Sequence, residues 1–237
     1  IFNSNFDSEI YLSLKDFLKS KRFVVNGWTH PLISTNLEIL KKHFQIKPWG
    51  TFLINLEQPI DELYKNLDKH SCRKNIERSI KRGVIVEQMT DESLSDYYDL
   101  INEMRVESGR EKGDFEYLVY RWKTFKSLGY SGFMAKKNNR PVGGLLFSYM
   151  NGHIIEIGVA RSKEDRQDNL YSQDLIKWKI IEWGIKNKMK YYDLTGFNPD
   201  PISEKEKGII KYKKKWGGKP HYYYRILPQP NILTGKL

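Results

Sequence analysis

With a single cysteine, Cys72, the chain has no means of building an internal disulfide framework or a cysteine metal cluster, and this usage fits a reducing compartment. Long apolar runs are missing too. None approaches the roughly 20 residues of a membrane span, so a soluble protein is expected. The five histidines (His30, His43, His70, His153 and His221) show no metal-ligand spacing, and Cys72 has no companion that would mark a thiol nucleophile. Neither a cofactor nor a metal is therefore expected. Signal peptides, transit peptides, internal repeats and low-complexity linkers are not visible either. The expected location is the cytoplasm, with the inner membrane surface as an alternative. The chain starts at Ile1 rather than at methionine, which leaves room for residues before it.

What the chain has in excess is positive charge, +11 over 237 residues, and it is unevenly spread. Lys65 to Arg82 holds seven basic residues against Asp68 and Glu77. Ser203 to Lys219 holds seven lysines against Glu204 and Glu206. These two short segments supply ten of the eleven excess charges, which argues for focused anion binding rather than a general basic coat. Solvated helix faces remain the plain alternative for each segment.

Hydrophobic content of 39%, with 14% aromatics, supports one good core, or one complete domain and part of another. The first sixty residues read as short elements: helices near 9–20 and 36–44 and a strand at 50–56. A long basic helix follows from about Ile60, broken near Ser71 and ending at Gly83. A regular pattern then sets in. A strand at 84–88 precedes helices at 91–107 and 115–128. Three strands at 130–136, 141–150 and 153–159 are joined by turns containing Asn138, Asn139, Asn151 and Gly152. A helix at 169–188, a strand at 191–194, a lysine-rich helix and a strand at 222–227 complete the order.

The lysine-rich helix is the most informative stretch. Ser203 and Glu206 have the spacing of a capping box, and Gly217 and Gly218 end the helix. Helical projection puts Lys207, Lys211, Lys214 and Lys215 on one face and Ile209, Tyr212 and Trp216 on the opposite one. Lys213 falls between Ile209 and Ile210, on the apolar side. A lysine there must snorkel out, find a partner or meet an anionic ligand.

The motifs Arg73 to Gly83 (RKNIERSIKRG), Pro141 to Leu145 (PVGGL), Tyr191 to Gly196 (YYDLTG) and Gly208 to Gly218 (GIIKYKKKWGG) resemble, in order and spacing, those of the Fem family of peptidoglycan-bridge aminoacyltransferases. The resemblance covers roughly residues 50 to 227. It implies an α+β, GNAT-like acyltransferase fold, with residues 1–82 as the tail of a first GNAT-like domain and 83–237 as a complete second one. It also implies an acyltransferase whose donor is aminoacyl-tRNA and whose acceptor is a peptide amine on a nucleotide- or lipid-linked muropeptide. The aromatic-lysine pair of that family falls on Tyr212 and Lys213. In one departure, Thr195 stands where a second glycine is usual before Gly196.

Transfer from an aminoacyl ester needs an unprotonated amine, a positioned carbonyl and a group at the oxyanion, but no enzyme nucleophile. Lys213 is the candidate cation at that oxyanion or at a terminal phosphate. An acceptor amine has an ordinary pKa of about 10.4, so removal of its proton must be helped, and Asp193 at a strand end is the available carboxylate. The plain alternative for Asp193 is a cap on the following turn. Candidates for substrate binding are Tyr212, Arg73 and Lys74 on the basic helix, Arg110 between two helices, Tyr171 and Asn198. Acyl-CoA ranks below tRNA as donor because the stretch Arg161 to Asn169 contains no glycine, which makes close approach of backbone to a pyrophosphate harder. An N-acyltransferase using a thioester donor and a non-catalytic RNA- or anion-binding module are the competing readings.

Overall fold

The computed structural model describes residues 4–21, 27–33 and 36–227. In chain order the elements are α1 (Ser4–Ser20), β1 (Gly27–Trp28), α2 (Leu37–His43), β2 (Gln45–Asn55), α3 (Ile60–Asn66), α4 (Lys74–Lys81), β3 (Val84–Gln88), α5 (Ser93–Glu107) and α6 (Phe115–Phe125). They continue with β4 (Tyr130–Lys137), β5 (Arg140–Met150), β6 (His153–Arg161), α7 (Lys163–Gln167), α8 (Ser172–Lys186), β7 (Tyr191–Phe197), α9 (Glu204–Lys214) and β8 (Lys219–Leu227). The mixed α+β class expected from the sequence is what the structure shows. By compactness the chain forms two units. One comprises residues 1–51, 196–210 and 220–237, the other 52–195 and 211–219. Residue 83, where the sequence reading divides the chain, lies within the larger unit.

In the larger unit the strands follow the order β7-β6-β5-β4-β3, with β6 and β7 parallel and the other neighbours antiparallel. The meander β4-β5-β6 turns through residues at positive φ, Asn138 and Asn139 (50° and 59°) and Asn151 and Gly152 (50° and 79°). Two consecutive left-handed residues are what the twist of a tight hairpin requires, and asparagine and glycine tolerate them best. The PVGGL motif is explained by packing. Successive residues of a strand point to opposite faces. A Cβ at Gly143 would lie 2.3 Å from the Ser172 hydroxyl of α8, and one at Gly144 would lie 2.8 Å from the Tyr97 ring of α5. The two glycines thus let a helix close on each face of β5. Tyr97 belongs to a core with Leu100, Trp122, Tyr130, Met134 and Leu146.

Two boundaries differ from expectation. The basic helix breaks at Leu67 and Asp68 rather than near Ser71, and restarts as a π-helical turn, Lys69–Arg73, that leads into α4. Asp68 causes the restart. Its carboxylate accepts the His70 and Ser71 N–H groups at 3.1 and 2.8 Å and the Ser71 hydroxyl at 2.6 Å, so it caps the second segment. The helix expected from Asn169 begins at Ser172, because Asn169 and Tyr171 adopt left-handed φ of 53° and 56°; the preceding residues form the short α7, capped by Ser162.

In the smaller unit, β1 pairs antiparallel with β8, and the Trp28 ring lies against Trp49 and Tyr223. A Cβ at Gly196 would come within 1.8 Å of the Trp49 indole nitrogen, so the YYDLTG motif needs its glycine for close approach. The capping box forms as read. Ser203 N–H donates to Glu206 Oε2 at 3.1 Å, and Glu206 N–H donates to the Ser203 hydroxyl at 3.2 Å. The apolar face projected for α9 is only partly buried. Trp216, just past the helix, is buried, whereas Ile209 and Tyr212 each keep 37% of their surface exposed.

Candidate functional site

In the larger unit the β6–β7 ladder runs over three pairs, from His153–Tyr191 to Ile155–Asp193, and among the described residues it ends there. Just beyond, the β5–β6 register shifts so that Leu146 faces Gly158 while Phe147 faces Glu156, leaving Ile157 as the extra residue of a bulge. Ile155 and Ile157 remain exposed in a strand that is otherwise mostly covered. The two parallel strands therefore part beside residues 156–158 and 193–195.

Lys213 reaches into this place. Its ammonium donates to the Thr195 carbonyl at 3.0 Å. Burial pulls its pKa down from the ordinary lysine range to about 8, with the Glu156 carboxylate pulling upward, the Lys177 ammonium downward and the Asp193 carboxylate upward. Thr195 holds a φ of 63°, a conformation in which a β-branched residue is strained. Here lies the reason for the glycine that the resemblance leads one to expect. Asp193 fixes that turn: its Oδ1 accepts the Thr195 N–H at 2.6 Å, and its Oδ2 lies 3.5 Å from His153 Nε2, with both side chains buried.

Next to Lys213 stands a buried charge pair that the sequence reading missed. The Lys177 ammonium of α8 donates to Glu156 Oε1, and the Tyr192 hydroxyl donates to the same oxygen at 2.5 Å. The Lys177 and Glu156 side chains are 4% and 8% exposed. Glu156 was visible as a lone acidic residue in the apolar run HIIEIGV, and Lys177 as one of two lysines in LIKWKII. The Tyr212 hydroxyl is pushed well above its ordinary range by burial and by the Asp174 and Glu156 carboxylates.

A second cluster lies where α4 meets the start of α8. Arg78 and Arg82 lie over the Tyr171 ring, 5.8 and 5.4 Å from its centre, and Arg82 also donates to the Asn169 carbonyl. Tyr171 is thus an aromatic platform for arginines rather than a core residue. Asp174, in the first turn of α8, accepts from Asn75 Nδ2 at 3.4 Å, and burial raises its pKa to about 6. Asp165 is fully buried and accepts the Ser172 N–H at 2.8 Å and Arg161 Nε at 2.5 Å. The first free amide of α8 is thereby occupied by a carboxylate of the chain itself.

The remaining candidates are placed as follows. Arg73 is half-buried, and its Nε has no hydrogen-bond partner among the described residues; Lys74 is exposed at the start of α4. Arg110 is exposed between α5 and α6 and donates locally to Ser108 at 3.0 Å. Asn198 donates to Glu206 at 3.1 Å and to the Asp200 carbonyl at 2.9 Å, which ties it to the start of α9. Cys72 is a core residue, its thiol pushed up to about 12 by burial and by the Asp174 carboxylate.

Comparison with solved structures finds the same fold in FemX, in L-PGS and in a tandem GNAT protein. FemX matches with a TM-score of 0.64 at 15% identity, over 92% of this chain and 69% of that one. L-PGS from Bacillus licheniformis matches with 0.63 at 14% identity, over 94% and 74%. A tandem GNAT protein from the clavulanic acid biosynthesis pathway matches with 0.59 at 11% identity, over 97% and 71%. At these identities the likeness is one of fold. No family profile matches the sequence, and no curated protein does. Among the described residues no helix is long and apolar enough to cross a membrane.

Proposed function

We propose that the chain is an acyltransferase that moves the aminoacyl group of an aminoacyl-tRNA onto a peptide amine of a nucleotide- or lipid-linked peptidoglycan precursor. The observation that carries this reading is the Lys213 ammonium, half-buried and held on the Thr195 carbonyl where β6 and β7 part. The acceptor amine attacks the ester carbonyl, a C–N bond forms and the C–O bond to the terminal ribose breaks. The amine proton ends on the departing ribose hydroxyl, and no covalent enzyme intermediate is needed. Lys213 supplies a preorganised positive charge at the developing oxyanion, an effect worth about 3 kcal/mol in a water-poor site. Asp193 holds the Thr195 turn that places this charge. Tyr212 keeps its proton, so its hydroxyl can donate a hydrogen bond and does not serve as a base.

The start of α8 supports tRNA over coenzyme A as the donor. A pyrophosphate at a helix N-terminus needs free amides and no competing negative charge. Here Asp165 occupies the Ser172 amide, the Asp174 amide is bonded to the Tyr171 carbonyl, and the two carboxylates would repel an anion. Arg78 and Arg82 beside Tyr171, with Lys74 and Lys81 on the same helix, suit a sugar-phosphate backbone. Transfer from an acyl-CoA is the second reading, carried by the likeness to a tandem GNAT protein described without AcCoA. The test is competition between charged tRNA and acyl-CoA for the full chain at physiological salt, with uncharged tRNA as control. Preference for charged tRNA is expected. Binding of acyl-CoA alone would remove the tRNA and cell-wall assignments and leave a general N-acyltransferase.

A further inference from the structure

The Lys177–Glu156 pair has no packing reason to be charged. Two apolar side chains of similar volume would fill the same space without desolvating two ions. Its geometry is specific. Lys177 from α8 and Tyr192 from β7 both donate to Glu156 Oε1, so the carboxylate is clamped from two elements on one oxygen. Glu156 lies next to the bulge at Ile157 and the end of the β6–β7 ladder. We propose that Glu156, clamped by Lys177 and Tyr192, is a positioning residue that keeps the Lys213 ammonium charged and in place on the Thr195 carbonyl.

The groups facing Lys213 are consistent with this role. They are Glu156 from β6, Lys177 from α8 and Asp193 from β7. Tyr192 and Tyr212 stay neutral, because burial pushes both hydroxyls well above their ordinary range. His153 is paired to Asp193, and Asp174 lies one turn before Lys177 on α8. Burial pulls the Lys213 pKa down. Glu156 follows directly on the Ile155–Asp193 pair of the ladder, beside the turn whose Thr195 carbonyl holds the Lys213 ammonium, and it raises the Lys213 pKa whereas Lys177 lowers it. Without Lys177 and Tyr192 the carboxylate would itself be a lone buried charge, which is the reason for the clamp.

The inference rests on the proposed role of Lys213, and its test is independent of transfer activity. The full chain is labelled with acetic anhydride across a pH series, and acetylation of Lys213 is followed peptide by peptide by mass spectrometry. Only the free amine reacts, so the rate at neutral pH reports how far Lys213 is deprotonated. Glu156→Gln is expected to speed labelling at about pH 7 by threefold or more, since half a pH unit is a threefold change in free amine. The double variant Glu156→Gln with Lys177→Met, which leaves no unpaired buried ion, should lie between wild type and the single variant. Wild-type labelling in both, or slower labelling in either, overturns the proposal. Should the single variant not fold, the double variant alone decides, because removal of the pair must still raise the rate. Transfer assays of Lys213→Met separate the two claims: unchanged transfer defeats the catalytic reading of Lys213, whereas the labelling order stands or falls by itself.

Discussion

Asp174 offers the most quantitative check on the electrostatics of the larger unit. It is buried, the one hydrogen bond to its carboxyl among the described residues is the long contact from Asn75, and its pKa is about 6 rather than 3.8. A carboxyl whose folded pKa exceeds its unfolded value binds more protons when folded. Its unfavourable contribution is therefore absent below about pH 4, grows as pH rises through 6 and is complete above about pH 7. A difference of about two units corresponds to about 3 kcal/mol. Asparagine has the same shape, can still accept from Asn75 and carries no charge. Asp174→Asn should thus raise stability by about 3 kcal/mol at pH 8 and by about half of that at pH 5. For a chain of this size the gain at pH 8 corresponds to about 6 to 12 °C in Tm. Urea unfolding of both proteins at the two pH values measures the difference directly. Equal stability, or a loss at pH 8, would show that the charge is compensated by Lys177 and Arg161 and that the reasoning is wrong.

Lys213→Met should lower transfer by a factor on the order of 10² to 10³ while charged-tRNA binding changes little, as measured by single-turnover kinetics beside a binding titration. The wild-type rate should also fall on the alkaline side with a midpoint near the Lys213 pKa of about 8, because the charged form is the active one. Thr195→Gly relieves a left-handed β-branched residue, worth about 1 to 3 kcal/mol, against a glycine entropy of roughly 0.5 to 1 kcal/mol, so chemical denaturation should show a modest gain in stability. Ser203→Ala removes the hydroxyl that caps α9 and should cost about 1 kcal/mol in the same assay.

Most of the fold was legible because it rests on local chemistry. The Asn138–Asn139 and Asn151–Gly152 turns, the meander they join and the Ser203–Glu206 box all follow from residues within a few positions of one another. The helix boundaries at Asp68 and Tyr171 were misplaced, since a carboxylate that caps a π-helical turn and a tyrosine at positive φ leave no periodic signature. In the site, Lys213 stood out as a charge on the wrong helical face. Glu156 and Lys177 lie 21 positions apart and define each other only once β6 and α8 pack, so neither announced itself as half of a pair. For Asp193 the sequence offered a proton acceptor or a cap on the following turn, and its carboxylate accepts the Thr195 N–H of that turn. Tyr171 was visible only as a candidate for substrate binding, and the two arginines that lie over it approach through the packing of α4 against α8.

The unfavourable features of the larger unit fall together. A strained Thr195, a buried Lys177–Glu156 pair, a lysine held near pKa 8 and a carboxyl raised to about 6 occur on β6, β7, α8 and the end of α9. Each lowers stability by itself, and each could be replaced by a glycine, an apolar pair or an amide that the same backbone accommodates. The meander and the α5–α6 face meanwhile form an ordinary apolar core. Perturbed titrations also arise in structural ion networks, so one such group would carry little weight. Two shifted groups, a buried ion pair and a strained turn in one unit, with the Lys213 ammonium resting on the Thr195 carbonyl where β6 and β7 part, have no requirement of packing behind them and suit a place that holds a charge away from water.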